Sequence, residues 1–185
     1  MTEETQSYPP VPADDLTRTL VVAQSDSAKS VHIGLVGDTY TLTVSGEDTG
    51  GRFSMMEQLA AKDSGPGPHK HTWSDETFYM FDGEIRFLIG EDIKTARTGD
   101  FLMIPRNTRH AFRVMSDTAR YLNGYTPASL EAALVEFATP ATARVLPAKN
   151  ASGVIELTPA LLSRYGMDML PGPDPLRPDA AGAAV

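Results

Sequence analysis

The sequence predicts an all-β domain, an antiparallel sandwich or barrel, with one or two helices flanking its C-terminal part. Three observations predict it. Short runs rich in Val, Ile, Thr, Phe and Tyr follow one another with period-two alternation. Gly37-Asp38, Asp82-Gly83 and Gly90-Glu91 punctuate them as turn signals. Helical periodicity, which would connect parallel strands, is missing between these runs. A chain of 185 residues suits one domain with a core of its own.

Taken in order, residues 1–15 read as a flexible arm, because Pro9, Pro10 and Pro12 block regular structure. Strands are expected over 20–23, 31–36, 40–44, 52–59, 76–81, 85–89, 101–104, 110–115 and 120–125. Thr126-Pro127 then opens a helix over 129–138, with a cap-capable residue, a proline at the first helical position and Leu, Ala, Val and Phe at helical spacing. Thr158-Pro159 repeats this grammar, with Gly166 as the stop. The barrel domain is thus expected over 16–170, and 171–185 as a disordered tail.

Composition narrows the function classes. The net charge of −8, from 24 acidic and 16 basic residues, argues against nucleic acid and anionic membrane surfaces, which call for a basic footprint. Cysteine is absent, so no disulfide forms and no thiolate can bind metal or attack a substrate. No run approaches the ~18 apolar residues of a membrane span. The first fifteen residues lack both the basic and the apolar region of a signal peptide, so a cytoplasmic location is expected. No Ser-His-Asp or Cys-His nucleophile system and no Gly-rich phosphate loop is present.

Three of the four histidines fall into one pattern with a carboxylate: His69-Lys70-His71, then Glu76, then His110. On a strand, positions i and i+2 share a face, so His69 and His71 project together and Lys70 faces away. The polar bend of residues 72–75 can return the chain so that Glu76 points inward again, with Phe78 and Met80 on its face. His110 begins another strand and must arrive from the opposite wall. Three imidazoles and a carboxylate suit one divalent first-row transition metal: Fe, Mn, Ni, Co or Zn. Four protein ligands leave open positions on a five- or six-coordinate ion, which favours catalysis over a structural role. His32 has no partner at metal spacing and is read as a sheet or surface residue.

The neighbours of the ligands suggest an apolar, aromatic cavity for a small molecule. Phe78 and Met80 follow Glu76, and Phe112 follows His110; Phe53, Met55, Phe101 and Met103 are further substrate-binding candidates, each equally at home in a barrel core. Trp73 is read on equal terms as part of the pocket mouth or as a half-buried surface aromatic. Arg106 and Arg109 flank the turn before His110, as rim charges or as solvated hairpin residues. Glu57 and Asp75 are further acids near the site, but only Glu76 has a positional claim to be a base.

These motifs resemble the cupin superfamily. Its first motif appears as His69-x-His71-x4-Glu76-x6-Gly83, and its second as Gly99-x5-Pro105-x-Asn107-x2-His110. Asp63 and Asn107 stand where the family has glycine, and Val114 where it has asparagine. The resemblance implies a small jelly-roll barrel of six to eight strands with the metal inside, held by His69, His71, Glu76 and His110. A single domain with this spacing and a C-terminal helix is similar to bacterial quercetinase-like cupins. That implies a metal-dependent dioxygenase using dioxygen on a small aromatic, enolic or polyketide-like substrate, with Glu76 as the base that deprotonates it. The superfamily also holds cyclases, isomerases, decarboxylases and non-catalytic binding proteins. The resemblance further implies a homodimer.

Overall fold

The computed structural model describes residues 30–33, 37–141, 143–148 and 158–177. The expected arm, the expected strand over 20–23 and residues 178–185 lie outside them. The first half runs β1 (Ser30–Ile33), β2 (Thr39–Val44), α1 (Gly46–Thr49), β3 (Ser54–Ala61), β4 (His69–His71), β5 (Asp75–Asp82) and β6 (Glu84–Ile89). The second half runs β7 (Asp92–Arg97), β8 (Phe101–Ile104), β9 (His110–Val114), β10 (Thr118–Thr126), α2 (Glu131–Phe137), β11 (Thr139–Pro140), α3 (Pro159–Ser163) and β12 (Met167–Met169). No described helix is long and apolar enough to cross a membrane.

The strands form two antiparallel sheets, in the orders β11-β1-β2-β3-β10-β5-β8 and β12-β4-β9-β6-β7. Among the described residues the sheets are not hydrogen-bonded into one closed cylinder; they pack as the two layers of a jelly roll. Their inner faces meet through rings from both layers. Phe78 of β5 stacks edge-on to Phe87 of β6 at 4.9 Å and to Phe112 of β9 at 5.5 Å. Tyr121 of β10 completes this cluster, which is buried throughout. Alternation makes the layers: β3 buries Ser54, Met56, Gln58 and Ala60 and turns Met55, Glu57 and Leu59 outward.

Turn chemistry sets the strand registers. Gly90, at φ 62°, joins β6 to β7 in a two-residue hairpin that pairs Ile89 with Asp92. β7 reads Asp-Ile-Lys-Thr-Ala-Arg, too polar to stand out as a strand, yet those charges suit an exposed edge. Asp63 and Asn107, the two residues standing for family glycines, have φ of 71° and 64°. Both therefore hold the left-handed backbone that glycine would supply, which Asp and Asn tolerate best among other residues.

Three elements depart from expectation. α2 starts at Glu131 rather than 129, because Ser129 serves the helix from outside. Its N–H donates to Glu131 Oε2 at 2.8 Å, while Oε1 accepts from Gly46 N–H at 3.1 Å. β12 has no strong strand signal of its own; it forms because β4 offers it an edge, pairing Met167 with His71 and Met169 with His69. Residues 171–177, expected within the tail, instead run as a strap over the outer face of the second sheet. Leu176 is buried there against Leu88 and Ala111. Arg109 Nη2 donates to Pro173 O at 2.8 Å, and Arg113 Nη1 to Leu176 O at 2.7 Å.

Candidate metal centre

Short-range geometry puts two histidines on β4 and register brings the third to them. His69 and His71 share the inner face of β4 with Lys70 outside, and His69 pairs directly with His110 of β9. Glu76 reaches the same point from β5 in the opposite sheet. All four side chains are almost fully buried, and one ligand atom from each lies within 4.8 Å of the others. Opposite ligands held ~2.1 Å from one ion lie roughly 4 Å apart, so a small contraction would close them on a cation.

The hydrogen bonds around the imidazoles fit that use. His69 Nδ1 lies 2.9 Å from Gly67 O, and His110 Nδ1 lies 2.8 Å from Thr108 O. A carbonyl only accepts, so each Nδ1 carries the proton and each Nε2 is left to face the cluster. His71 has neither ring nitrogen hydrogen-bonded among the described residues, although its Nε2 is 3.3 Å from Glu76 Oε2. A buried nitrogen without a partner costs stability unless something absent from the protein chain satisfies it. A cation between His71, His110 and Glu76 would do so.

The electrostatics of the cluster are those of a ligand set. Burial, together with His110 and His71 beside it, holds the His69 imidazole well below its ordinary value, so it is neutral and has a lone pair to give. Burial alone would raise the carboxyl of Glu76, but His71 and His110 outweigh it and hold the group well below the usual range. For His110, burial works downward, but the 3.0 Å bond from Nε2 to Glu76 Oε2 wins and raises it. That short contact needs a proton between its atoms, or a cation in the proton's place.

A cavity of about 70 Å³ opens onto the cluster. Its remaining walls include Tyr40, Phe112, Tyr125, Leu130, Leu134 and Met167. The substrate-binding candidates divide around it. Phe112 lines it. Phe78 and Met80 share the inner face with Glu76 but sit deeper, within the ring cluster. Met55 lies on the outer face of β3, and Phe53 precedes that strand. Phe101 and Met103 are 65% and 52% exposed, away from the cavity. They pair with Tyr79 and Thr77, the outward residues of β5, whereas Ile104 pairs with Glu76. The alternation of β8 thus turns Phe101 and Met103 outward and Ile104 inward. Trp73 packs on Gly166, whose backbone passes so close that an added Cβ would lie 2.7 Å from the indole.

The charged candidates are tied up elsewhere. Arg106 grips Asp75 through Nε and Nη2 at 3.0 and 3.1 Å. Arg109 holds the strap, and Glu57 pairs with Arg120 on the outer face. Sequence reasoning missed the residues that surround Glu76. Asn123 Nδ2 and the Tyr125 hydroxyl donate to its Oε1 at 3.0 and 2.9 Å. A signal was there: Tyr121, Asn123 and Tyr125 share one face of β10, and an amide on the inner face of a strand needs buried polar partners.

Comparison with known proteins agrees with this geometry. Residues 55–123 match the cupin domain family, which supports placing that segment in the cupin superfamily. It is 28% identical over 99 residues to quercetin 2,3-dioxygenase of Bacillus subtilis (strain 168), covering 52% of this chain and 29% of that enzyme. The chain therefore spans less than a third of that relative's length. Among solved structures, an RmlC-like cupin from Shewanella frigidimarina NCIMB 400 superposes with TM-score 0.50 at 15% identity, covering 60% of this chain and 93% of that one. The nucleoside dehydratase Pac13 superposes with TM-score 0.49 at 16% identity, covering 62% and 88%.

Proposed function

We propose that this cupin is a metal-dependent oxygenase of the quercetinase-like kind, acting on a small aromatic, enolic or polyketide-like substrate. The observation that carries the reading is the buried three-histidine, one-glutamate set at the end of a largely apolar cavity. The resemblance to quercetin 2,3-dioxygenase over 99 residues supports it. His69, His71, Glu76 and His110 would hold one Fe, Mn, Ni, Co or Zn ion. Such an ion supplies Lewis acidity and, for the redox-active members, electron transfer to or from a bound molecule.

The chain's own residues define what can bind. Leu130, which caps α2, Leu134 within it and Met167 of β12 exclude water from the face opposite the ligands, while Tyr40 and Tyr125 bring phenols to it. A space of about 70 Å³ is roughly half of the ~150 Å³ that accommodates benzene, so a larger substrate would fill it and extend out through its mouth. Glu76 is the anionic ligand; with Oε1 carrying two donors, it accepts a substrate proton only after one of them lets go.

Oxygen uptake tests the reading. Protein loaded with Fe, Mn, Co or Ni should consume dioxygen with a flavonol or a smaller enol, and zinc-loaded protein should not. Turnover that persists without oxygen and with zinc instead assigns a redox-neutral reaction. No turnover with any metal leaves a binding protein. We also take the protein to be a cytoplasmic homodimer. The outward apolar side chains Tyr79, Phe101 and Met103 support a pairing face, and sedimentation equilibrium tests it.

A further inference from the structure

Glu76 Oε1 is approached by hydrogen-bond donors only, and their arrangement has one fixed direction. Asn123 Nδ2 lies 3.0 Å from Glu76 Oε1 and 3.2 Å from the carbonyl of Thr77. A backbone carbonyl accepts and never donates, so the end of Asn123 facing both must be its NH2 group. Asn123 Oδ1 then faces Gln58, which must answer with its own NH2, at 2.9 Å. That leaves Gln58 Oε1 toward Tyr121, whose hydroxyl must donate, at 2.7 Å. Every member is buried, with Tyr121 and Asn123 fully so. One carbonyl on β5 thereby orients three side chains on β3 and β10. Reversing either amide would set two acceptors against each other in a dry interior, at a cost of ~1–3 kcal/mol.

The second donor to Oε1 is Tyr125, at 2.9 Å. A carboxylate oxygen has two lone pairs in its plane, and Asn123 and Tyr125 use both. Oε2 is different. Its neighbours are His110 Nε2 at 3.0 Å and His71 Nε2 at 3.3 Å, the atoms that face the cluster.

We propose that Tyr125 and the Tyr121–Gln58–Asn123 relay are positioning residues that make Glu76 a one-oxygen metal ligand, with Oε1 withheld and Oε2 alone offered to a cation. The inference rests on the metal-centre reading above. It adds a consequence for coordination. A carboxylate free to swing would take a second position on the ion; one pinned at Oε1 leaves that position to a substrate oxygen. The relay also carries the effect to Tyr121, which touches neither Glu76 nor any other ligand.

The test uses the full chain and Co²⁺ as probe, with Tyr125→Phe, Tyr121→Phe and, as a control, Tyr165→Phe. Tyr165 is half-buried beside Phe137, and its hydroxyl bonds Glu136 and no member of the relay. Two quantities are read: Co²⁺ affinity by titration, and the carboxylate stretching bands in the infrared difference between loaded and metal-free protein. A carboxylate bound through one oxygen shows a wide separation of its two stretches, and one bound through both shows a narrow separation. The wild-type and Tyr165→Phe proteins should give the wide pattern. Tyr125→Phe should lower affinity ~10–100-fold and narrow the splitting, and Tyr121→Phe should do the same at the lower end, ~10-fold. Cooperative melting of each variant confirms that it is folded, and if one fails to fold the other decides. Wild-type affinity and splitting in a folded Tyr125→Phe or Tyr121→Phe protein overturns the clamp and leaves the centre standing. A wild-type protein that binds no Co²⁺ overturns the centre, and the clamp with it.

Discussion

Asp38 is a buried acid that no part of the proposed chemistry uses, and it should govern how stability depends on pH. It follows the turn at Gly37 and leads into β2, with no exposed surface. Its Oδ1 accepts from Ala61 N–H at 3.3 Å, and its Oδ2 has no hydrogen-bond partner among the described residues. Burial pushes the carboxyl up from 3.8 to about 7, against the smaller pulls of the nearby Ser64 hydroxyl and then of the Ala61 N–H. Between those values the folded protein holds a proton that the unfolded chain has released, so stability falls as pH rises. Below 3.8 both states are protonated and nothing is lost; above 7 the loss is complete. At ~1.4 kcal/mol per pH unit the loss reaches roughly 4 kcal/mol. Asp38→Asn keeps the shape and the acceptor for Ala61 but cannot ionise. Urea unfolding of both proteins between pH 4 and pH 8 isolates the group, since every other titration is common to the two. The variant should match wild type near pH 4 and exceed it by up to ~4 kcal/mol at pH 8. With a typical slope near 2 kcal/mol per molar, that is a midpoint gap of roughly 2 M. A gap that does not change with pH would refute the reasoning.

Four further substitutions separate the site from its surroundings. His71→Ala removes a ligand outright and should weaken divalent-metal binding by more than the ~10–100-fold that supporting residues typically command, measured by equilibrium dialysis. Phe78→Ala, inside the ring cluster, should cost ~3–5 kcal/mol in chemical denaturation, whereas Phe101→Ala on the outer face should stay within ~0.5 kcal/mol. Gly166→Ala combines a φ of 77° with a Cβ 2.7 Å from the Trp73 ring, so it should destabilise by ~1–3 kcal/mol and shift the emission of the chain's one tryptophan.

What the sequence revealed and what it hid follow the same physics. Local rules were visible: His69-x-His71 needs only the pleat to share a face, and the strands β2, β5, β6 and β9 carry their own alternation. Faces were harder where both parities looked alike. In β3, Met55 and Met56 are both apolar and Glu57 and Gln58 both polar, so nothing local says which set is buried. Gln58 turns inward because Asn123 and Tyr121 await it, a fact of β10 and not of β3. The same holds for β8, where Phe101 and Met103 are as apolar as Leu102 and Ile104, and pairing with β5 decides. β12 and the strap had no periodic signal, because each exists by fitting a surface that other segments build.

That last dependence bears on the metal site itself. β4 is three residues long and meets β9 at a single pair, His69 with His110. Its other edge is covered at all three positions by β12, and Thr72 N–H just beyond it donates to Gly166 O at 2.7 Å. So the strand that carries two of the four candidate ligands is held in place chiefly by a segment about a hundred residues later in the chain. The same segment delivers Met167 to the cavity wall. The strap that follows is fixed in turn to the ligand-bearing layer. Arg177 Nη2 donates to Gly65 O at 2.6 Å, two residues before the carbonyl of Gly67 that orients His69. Ligand geometry, cavity wall and C-terminal segment are thus one mechanical unit. A movement of β12 would therefore also strain the support of His71, the one histidine of the cluster whose ring has no hydrogen bond among the described residues.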